Sequence, residues 1–259
     1  MKSHIKGITL LFTTTLLSFN VMAGNPAKAS YGQSSYHPET PGITLTYACL
    51  DKKGEIEGYY TMKLLNVEKM EGQEIFHYFQ QFYRPDGDPI LKETGLPLKV
   101  TVSSEEPTLS QLKGWTRAIK TMDMVAKGDV NTLPDTLHVA TTLPESEIKI
   151  KLDQIGASLY TTEREVKEHK TISIAAGDFD AYYMTETQEM HAVITIEEKL
   201  ETWYARGIGA VKQRILNKKG QFTRGMELID VRLTDEDELT DILPVKEKAE
   251  KFLVENIEE

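Results

Sequence analysis

The sequence predicts an exported, mainly β (α+β) protein, built as a curled antiparallel sheet with one or two covering helices. Apolar and polar residues alternate with a period of two in many short runs, and turns rich in Gly, Asp and Asn separate these runs. An apolar segment near the N-terminus has the features of an export signal. Cys49 is the single cysteine, so an internal disulfide is excluded and the fold depends on a packed core.

The first 23 residues are interpreted as a cleaved signal peptide. Lys2 and Lys6 form a basic start, residues 8–17 form an apolar run too short to span a bilayer, and cleavage is expected after Ala23. Removal of the two Lys takes the formal net charge from -10 to -12, which disfavours nucleic acid and anionic lipid headgroups. We therefore expect a periplasmic or secreted protein with no transmembrane segment in the mature chain.

Composition divides the remainder into three parts. Residues 24–40 are rich in Ser, Pro, Gly and Gln and predict a flexible leader. Residues 41–233 contain the alternating runs and predict a single β-rich domain. Residues 234–259 are acidic, with apolar residues at helical spacing, and predict a C-terminal segment with a helix.

The best-defined element is a hairpin within residues 201–233. Residues 211–215 and 229–233 alternate, and an NKKG turn at 217–220 lies between them. A DKKG turn at 51–54 follows an alternating run and predicts a second, similar hairpin. Further strands are expected at 59–67, 74–83, 96–102, 137–140, 148–152, 158–166, 170–174, 179–183 and 190–196.

One segment departs from the strand period. Between Thr108 and Lys127, apolar residues recur at steps of three and four, which predicts an amphipathic helix. Thr108 and Gln111 form a plausible capping box, although Gly114 disfavours the helix. The helix either covers the sheet or forms a lid over a cavity, and covering is the more ordinary role.

The most aromatic stretch, residues 74–83, is the candidate ligand-binding strand. Phe76, Tyr78 and Phe82 share one face of it. Packing between the sheet and its cover explains such a face, and so does an apolar cavity. The residues expected to line a cavity are Phe76, Tyr78, Phe82, Trp115, Trp203 and Tyr204.

The sequence contains no recognisable catalytic, cofactor or metal motif. Beyond the signal peptide and leader, each His stands alone, without a second ligand at helical or strand spacing. No G-x-S-x-G or P-loop occurs, and residues 207–209 lack the third Gly of a dinucleotide fingerprint. The acidic pairs Asp178/Asp180 and Glu197/Glu198 lie in polar runs, where solvated charge is the default. We expect no enzyme activity, no cofactor and no metal.

The last third of the sequence carries a family resemblance. Residues 172–183, ISIAAGDFDAYY, form a strand-turn-strand motif, and residues 203–212, WYARGIGAVK, place a Trp-Tyr pair before a Gly-x-Gly strand ending in Val-Lys. With the NKKG and DKKG hairpins, these motifs resemble the TapB-like (domain-of-unknown-function-3108-like) family of exported bacterial β-proteins. Ala175 stands where that family often has Pro, and Arg206 where a smaller residue or Lys is common.

The resemblance implies an antiparallel sheet curled into an open half-barrel, similar to periplasmic lipoprotein carriers, with helices over the concave face. The family has no established reaction, so the resemblance assigns no catalytic residues. Fold similarity is an associational argument for function.

Non-catalytic binding is the function that these observations favour. A curled sheet whose hidden side is apolar and free of reactive groups would hold an acyl chain, a lipid or an apolar peptide segment in its concavity. The alternative is an envelope scaffold or protein-interaction module without a ligand pocket, and a hydrolase is less favoured. The expected partner is therefore an apolar small molecule or an envelope protein, and not nucleic acid.

Overall fold

The computed structural model describes residues 36, 38, 40–70, 73–89, 96–103, 108–112, 124–128, 133–134, 136–152, 155–192 and 194–233. Within these ranges the chain forms twelve strands and no helix. The strands are β1 (Ile43–Leu50), β2 (Ile56–Met70), β3 (Gln73–Tyr83), β4 (Leu96–Ser103), β5 (Thr108–Leu112), β6 (Met124–Gly128), β7 (Ser146–Leu152), β8 (Ile155–Ile174), β9 (Gly177–His191), β10 (Thr195–Ala205), β11 (Gly209–Asn217) and β12 (Phe222–Leu233).

The strands form one antiparallel sheet in which each strand pairs with its neighbours in the chain. This confirms the predicted mainly β fold and its curled antiparallel sheet. β1 pairs with β12 as well as with β2, so the first and last strands of the sheet are neighbours. Pairing of the first and last strands removes unpaired backbone groups that would otherwise invite association.

One face of the sheet, here called the inner face, carries the main apolar core. On β1 to β3 its residues are Leu45, Tyr47, Tyr60, Met62, Leu64, Tyr78 and Phe82, and all are buried. The opposite face of the same strands is also buried, but it is largely polar, with Thr44 and Thr46 of β1 facing Lys63 and Thr61 of β2. These strands are therefore covered on both faces, which explains why Ile43 to Cys49 contains no charged residue.

The two predicted Gly-bearing turns share one hydrogen-bond pattern. In the first, the Asp51 carboxylate accepts from the Lys53 and Glu55 amides at 2.8 and 3.0 Å. In the second, the side-chain oxygen of Asn217 accepts from the Lys219 and Gln221 amides at 2.9 and 3.1 Å. An Asp or Asn side chain that satisfies two amides stabilises such a turn, so the prediction of two similar hairpins is confirmed.

The predicted helix between Thr108 and Lys127 is wrong at both ends. Residues 108–112 form β5 and residues 124–128 lie in β6, while Trp115 and the rest of the segment lie outside the described residues. The spacing of apolar residues did not identify the correct structure, because short apolar runs fit the helical period of 3.6 as well as the strand period of two. Pairing with neighbouring strands decides between the two. The expected C-terminal helix also lies outside the described residues.

The segment before β7 is an irregular chain that runs beside β8. The Ala140 and Leu143 amides donate to the Val166 and Arg164 carbonyls at 2.7 and 2.8 Å, and the Val166 amide donates to the Thr141 carbonyl at 3.0 Å. The short strand expected at residues 137–140 is therefore wrong, because a turn occupies those positions. Instead, the side chains of Leu133, Leu137 and Leu143 fill part of the main core.

Tyr36 connects the N-terminal side of the chain to this irregular segment. Its side chain is buried, and its hydroxyl accepts a hydrogen bond from the Leu137 amide at 3.2 Å. Its ring also packs edge-on against Tyr182, with 6.1 Å between the ring centroids. The flexible leader expected for residues 24–40 thus does not extend through Tyr36.

Candidate functional site

Three aromatic side chains form a row across the inner face. The rings of Tyr47 and Tyr60 are stacked with centroids 5.8 Å apart, and those of Tyr60 and Phe82 are stacked at 4.9 Å. The row exists because Tyr47 pairs with Tyr60 across β1 and β2, and Tyr60 pairs with Phe82 across β2 and β3. Offset aromatic pairs of this kind contribute about 0.5–1.5 kcal/mol beyond their buried area. We call these three residues the aromatic row.

Gln80 is a polar residue on this apolar surface. It lies between Tyr78 and Phe82 on the inner face of β3, directly opposite Met62 of β2. Its side chain is completely buried, and among the described residues neither the oxygen nor the nitrogen of its amide has a hydrogen-bond partner. Each buried polar atom without a partner costs about 1–3 kcal/mol, so an amide with both atoms unmet requires an explanation.

A buried ion pair lies further round the inner face. Arg164 of β8 and Glu186 of β9 are both only 2 % exposed, with 3.4 Å between the Arg164 Nε and a Glu186 carboxylate oxygen. A shift in the β8–β9 register accompanies this arrangement, since β8 contains two bulges near Arg164 and Glu163 has a φ of 51°. The irregularity between Thr162 and Glu165 shifts the alternation of side chains, so that the buried positions change from Leu159 and Thr161 to Arg164 and Val166.

The ion pair is embedded in further hydrogen bonds. Arg164 Nη1 donates to the Pro144 carbonyl at 2.8 Å, which ties the irregular segment to β8. The Gln188 amide donates to the other Glu186 oxygen at 3.0 Å. Paired charges that are also hydrogen-bonded can be buried, whereas lone charges cannot. This arrangement therefore holds β8, β9 and the segment before β7 together.

Burial changes the titration of the acidic group in this cluster. It raises the pKa of the Glu186 carboxyl, although the Arg164 guanidinium and the Gln188 hydrogen bond partly lower it. Burial also raises the pKa of the neighbouring Tyr204 hydroxyl, and the Glu186 carboxylate adds to the increase. Because Arg164 and Glu186 neutralise each other, the cluster offers no free charge to a substrate.

The residues expected to line a cavity fall into three groups. Tyr78, Phe82 and Tyr204 lie together in the buried core of the inner face. Trp203 neighbours Tyr204 on β10 but lies on the opposite face, where its ring stacks on Tyr183 at 4.7 Å. Phe76 pairs with Val67 and Val100 in the backbone of the sheet, and Trp115 lies outside the described residues.

Sequence reasoning missed Gln80, Arg164 and Glu186. Glu186 and Arg164 lie in polar runs that look solvated, and only long-range pairing and the β8 bulges bury them. Gln80 did leave a signal, because it interrupts the face that Tyr78 and Phe82 share. The expectation that the hidden side is wholly apolar is corrected here, since the buried ion pair lies there.

The described residues form neither a metal site nor a site with an activated thiol. Among the residues that the structure describes, no three His, Cys, Asp or Glu side chains converge to hold a metal ion. Burial raises the pKa of the Cys49 thiol to about 12, and the Glu57 carboxylate adds to this effect. A thiol of that kind is a poor nucleophile near neutral pH. Across the same described ranges, there is no helix long and apolar enough to cross a membrane.

A comparison with known protein families covers most of the described sheet. The signature of the DUF3108-like family matches residues 40–228, which include most of the described sheet. The chain belongs to the DUF3108-like family. No curated protein sequence matches the chain.

Two solved structures share the fold of this DUF3108-like protein. One is an inferred exported protein with a YmcC-like fold from Bacteroides fragilis, with 15% identity and a TM-score of 0.58 over 77% of this chain and 99% of that chain. The other is an inferred lipoprotein from Parabacteroides distasonis, with 15% identity and a TM-score of 0.57 over 76% of this chain and 99% of that chain. At this identity the likeness concerns the fold alone, and neither description names a reaction.

Proposed function

We propose that the protein is an exported, non-catalytic binding protein that holds an apolar ligand against its inner face. The ligand classes that fit are an acyl chain, a lipid or an apolar peptide segment. The observation that carries the proposal is the buried side-chain amide of Gln80. Among the described residues its nitrogen and oxygen have no hydrogen-bond partner, and it lies beside the stacked rings of the aromatic row. Binding sites for such ligands are apolar surfaces with a few placed polar groups.

The location in the cell is part of the same proposal. A basic start, a short apolar run and small residues ending at Ala23 support export and cleavage of a signal peptide. The two similar structures are described as exported and as a lipoprotein. A periplasmic or secreted protein meets apolar molecules that need a carrier or a receptor in water.

Native mass spectrometry of residues 24–259, purified from an envelope fraction without added ligand, tests the proposal. We expect a species of higher mass whose excess mass is lost after extraction with organic solvent, and the extract then identifies the ligand. Phe82→Leu removes one ring of the aromatic row and should reduce the liganded fraction. Trp203→Leu, on the opposite face of the sheet, is the matched control and should retain it.

A protein that is fully ligand-free, and that also fails to bind long-chain acyl probes in a saturable manner, would contradict the proposal. Equal loss of ligand in Phe82→Leu and Trp203→Leu would contradict the choice of the inner face.

A protein-interaction module is the second candidate, and one surface feature favours it. The stacked rings of Trp203 and Tyr183 are only partly buried, beside the ion pair between Arg214 and Glu201, and Trp203 also packs against the edge of the main core. Aromatic residues next to Arg are common at protein interfaces. A stoichiometric envelope partner, recovered without lipid and lost in Trp203→Ala, would support this candidate instead.

A further inference from the structure

We propose that the ligand carries a neutral amide group and that Gln80 recognises it; this inference rests on the proposed function. The chemical class is a long-chain acyl amide, in which an apolar chain is joined to an amide group. The chain would lie on the aromatic row, and the amide would pair with the side chain of Gln80.

The hydrogen-bonding capacity of Gln80 determines the polar part of the ligand. Its amide presents a donor nitrogen and an acceptor oxygen side by side, and both are without partners. A primary amide presents the same two functions in the complementary order, because one of its N–H bonds lies on the same side as its carbonyl oxygen, so two parallel hydrogen bonds can form. An alcohol, an ester or a bare hydrocarbon leaves at least one of the two atoms with a weaker partner or with none.

Charge decides against an ionised ligand. Gln80 is completely buried, and its neighbours on the inner face are the side chains of Met62, Tyr78 and Phe82. Among the described residues, the nearest strand position with a cation is Lys63, which lies on the opposite face of β2. Arg164 is already paired with Glu186. A carboxylate at Gln80 would be buried without a counter-charge, which is strongly unfavourable, whereas a neutral amide avoids that cost.

The surrounding side chains show that the position of Gln80 is not a polar channel. Tyr60 and Phe82 stack at 4.9 Å, and Met62 faces Gln80 across the strand pair. An apolar side chain at position 80 would complete the apolar surface without leaving an unmet donor or acceptor. The presence of Gln therefore favours ligand recognition over packing as the role of this residue.

The test compares three probes with the same unsaturated chain: a primary fatty amide, the corresponding fatty acid at pH 8, and the corresponding alkene. Binding to residues 24–259 is measured by competition against a fluorescent acyl probe. We expect the wild-type protein to bind the amide at least about tenfold more tightly than the alkene or the carboxylate, because two buried hydrogen bonds are gained.

Gln80→Met keeps the length of the side chain but removes both polar atoms. We expect this variant to bind the alkene as well as the wild type does and to lose its preference for the amide. Gln81→Met is the matched control, since Gln81 adjoins Gln80 on β3 but points to the opposite face, where it donates to the Phe82 carbonyl at 3.3 Å. The control should keep the preference of the wild type.

A readout without ligand makes the test independent of the choice of probe. If Gln80 carries an unmet amide in the free protein, Gln80→Met should raise the melting temperature by about 2–4 °C in the absence of ligand. A fall in the melting temperature would show that the amide is satisfied in the free protein, for instance by a buried water, and would overturn the inference.

The outcomes separate this inference from the proposed function. If the wild type binds all three probes equally, Gln80 is not a recognition residue, although the apolar site stands. If no probe binds, this inference is overturned, and the proposed function fails as well when the purified protein is also free of ligand. If Gln80→Met and Gln81→Met lose the preference to the same extent, the assignment to Gln80 is overturned.

Discussion

The buried pair of Arg164 and Glu186 should contribute far more to stability than the exposed pairs of the same sheet. Both side chains are 2 % exposed, and Arg164 also ties the Pro144 carbonyl to β8. Removal of one partner leaves the other charge buried and uncompensated, which costs about 3–5 kcal/mol. We expect Arg164→Met and Glu186→Gln each to lower the free energy of unfolding by about 3 kcal/mol.

The double variant shows how much of that cost comes from the pair. When both charges are removed, no buried charge remains alone, so the losses should not add. We expect a coupling energy of at least about 2 kcal/mol, from urea unfolding followed by tryptophan fluorescence and circular dichroism at pH 8.

An exposed pair in the same sheet provides the control. Arg214 and Glu201 form an ion pair at 2.8 Å, but their side chains are 45% and 19% exposed. Solvent screens such pairs, and their coupling should stay below about 1 kcal/mol. A coupling for Arg164 and Glu186 that is no larger than that of the control would refute the reasoning, because burial would then have no measurable effect.

Three further outcomes follow from the described contacts. Burial raises the pKa of Glu186, so the proton-dependent part of its contribution to stability is present below the ordinary Glu pKa and is lost as pH rises through the raised pKa, while the pairing with Arg164 remains. The free energy of unfolding of wild type relative to Glu186→Gln should therefore fall across that window, and a rise would contradict it. The Cys49 thiol, with a pKa of about 12, should react with a thiol reagent at pH 8 on the order of 100-fold more slowly in native protein than in urea, and similar rates would contradict the raised pKa. Gly225→Ala places a Cβ 2.7 Å from the Gln213 carbonyl oxygen, so the free energy of unfolding should fall by about 1–3 kcal/mol and the urea midpoint should fall with it. An unchanged midpoint would show that the two strands move apart without cost.

The parts of the fold that were predictable are those whose cause is local. The hairpin of β11 and β12 follows from alternation and from Asn217 and Gly220, which occupy neighbouring positions in the chain. The DKKG turn at Asp51 is predictable for the same reason. Turn residues and period-two patterns act over a few residues, so they are visible in the sequence.

The parts that were not predictable depend on distant pairings. β5 pairs Leu112 with Leu98 of β4, and this contact overrides a spacing that fits a helix. The burial of Arg164 depends on a bulge in β8 and on backbone bonds from Leu143. No local pattern encodes either, because a polar run has the same appearance whether it is solvated or covered.

The candidate site was predictable only in outline. The face that Tyr78 and Phe82 share predicts that both are buried, and the structure places both in the core. The sequence analysis predicts that Trp203 and Tyr204 line the same cavity, although adjacent residues of a strand point to opposite faces. The aromatic row also needs Tyr47 and Tyr60, whose contribution depends on the register between β1 and β2.

The most direct test of an apolar ligand on the inner face is an NMR titration of protein labelled at its methionine methyl groups and its tryptophan indoles. Met62 lies opposite Gln80 on the inner face, whereas Trp203 lies on the opposite face of the sheet. On addition of the long-chain amide, we expect the Met62 methyl signal to shift and saturate at one equivalent while the Trp203 indole signal stays in place. A shift of Trp203 without a shift of Met62, or no shift of either signal, would contradict binding at the inner face.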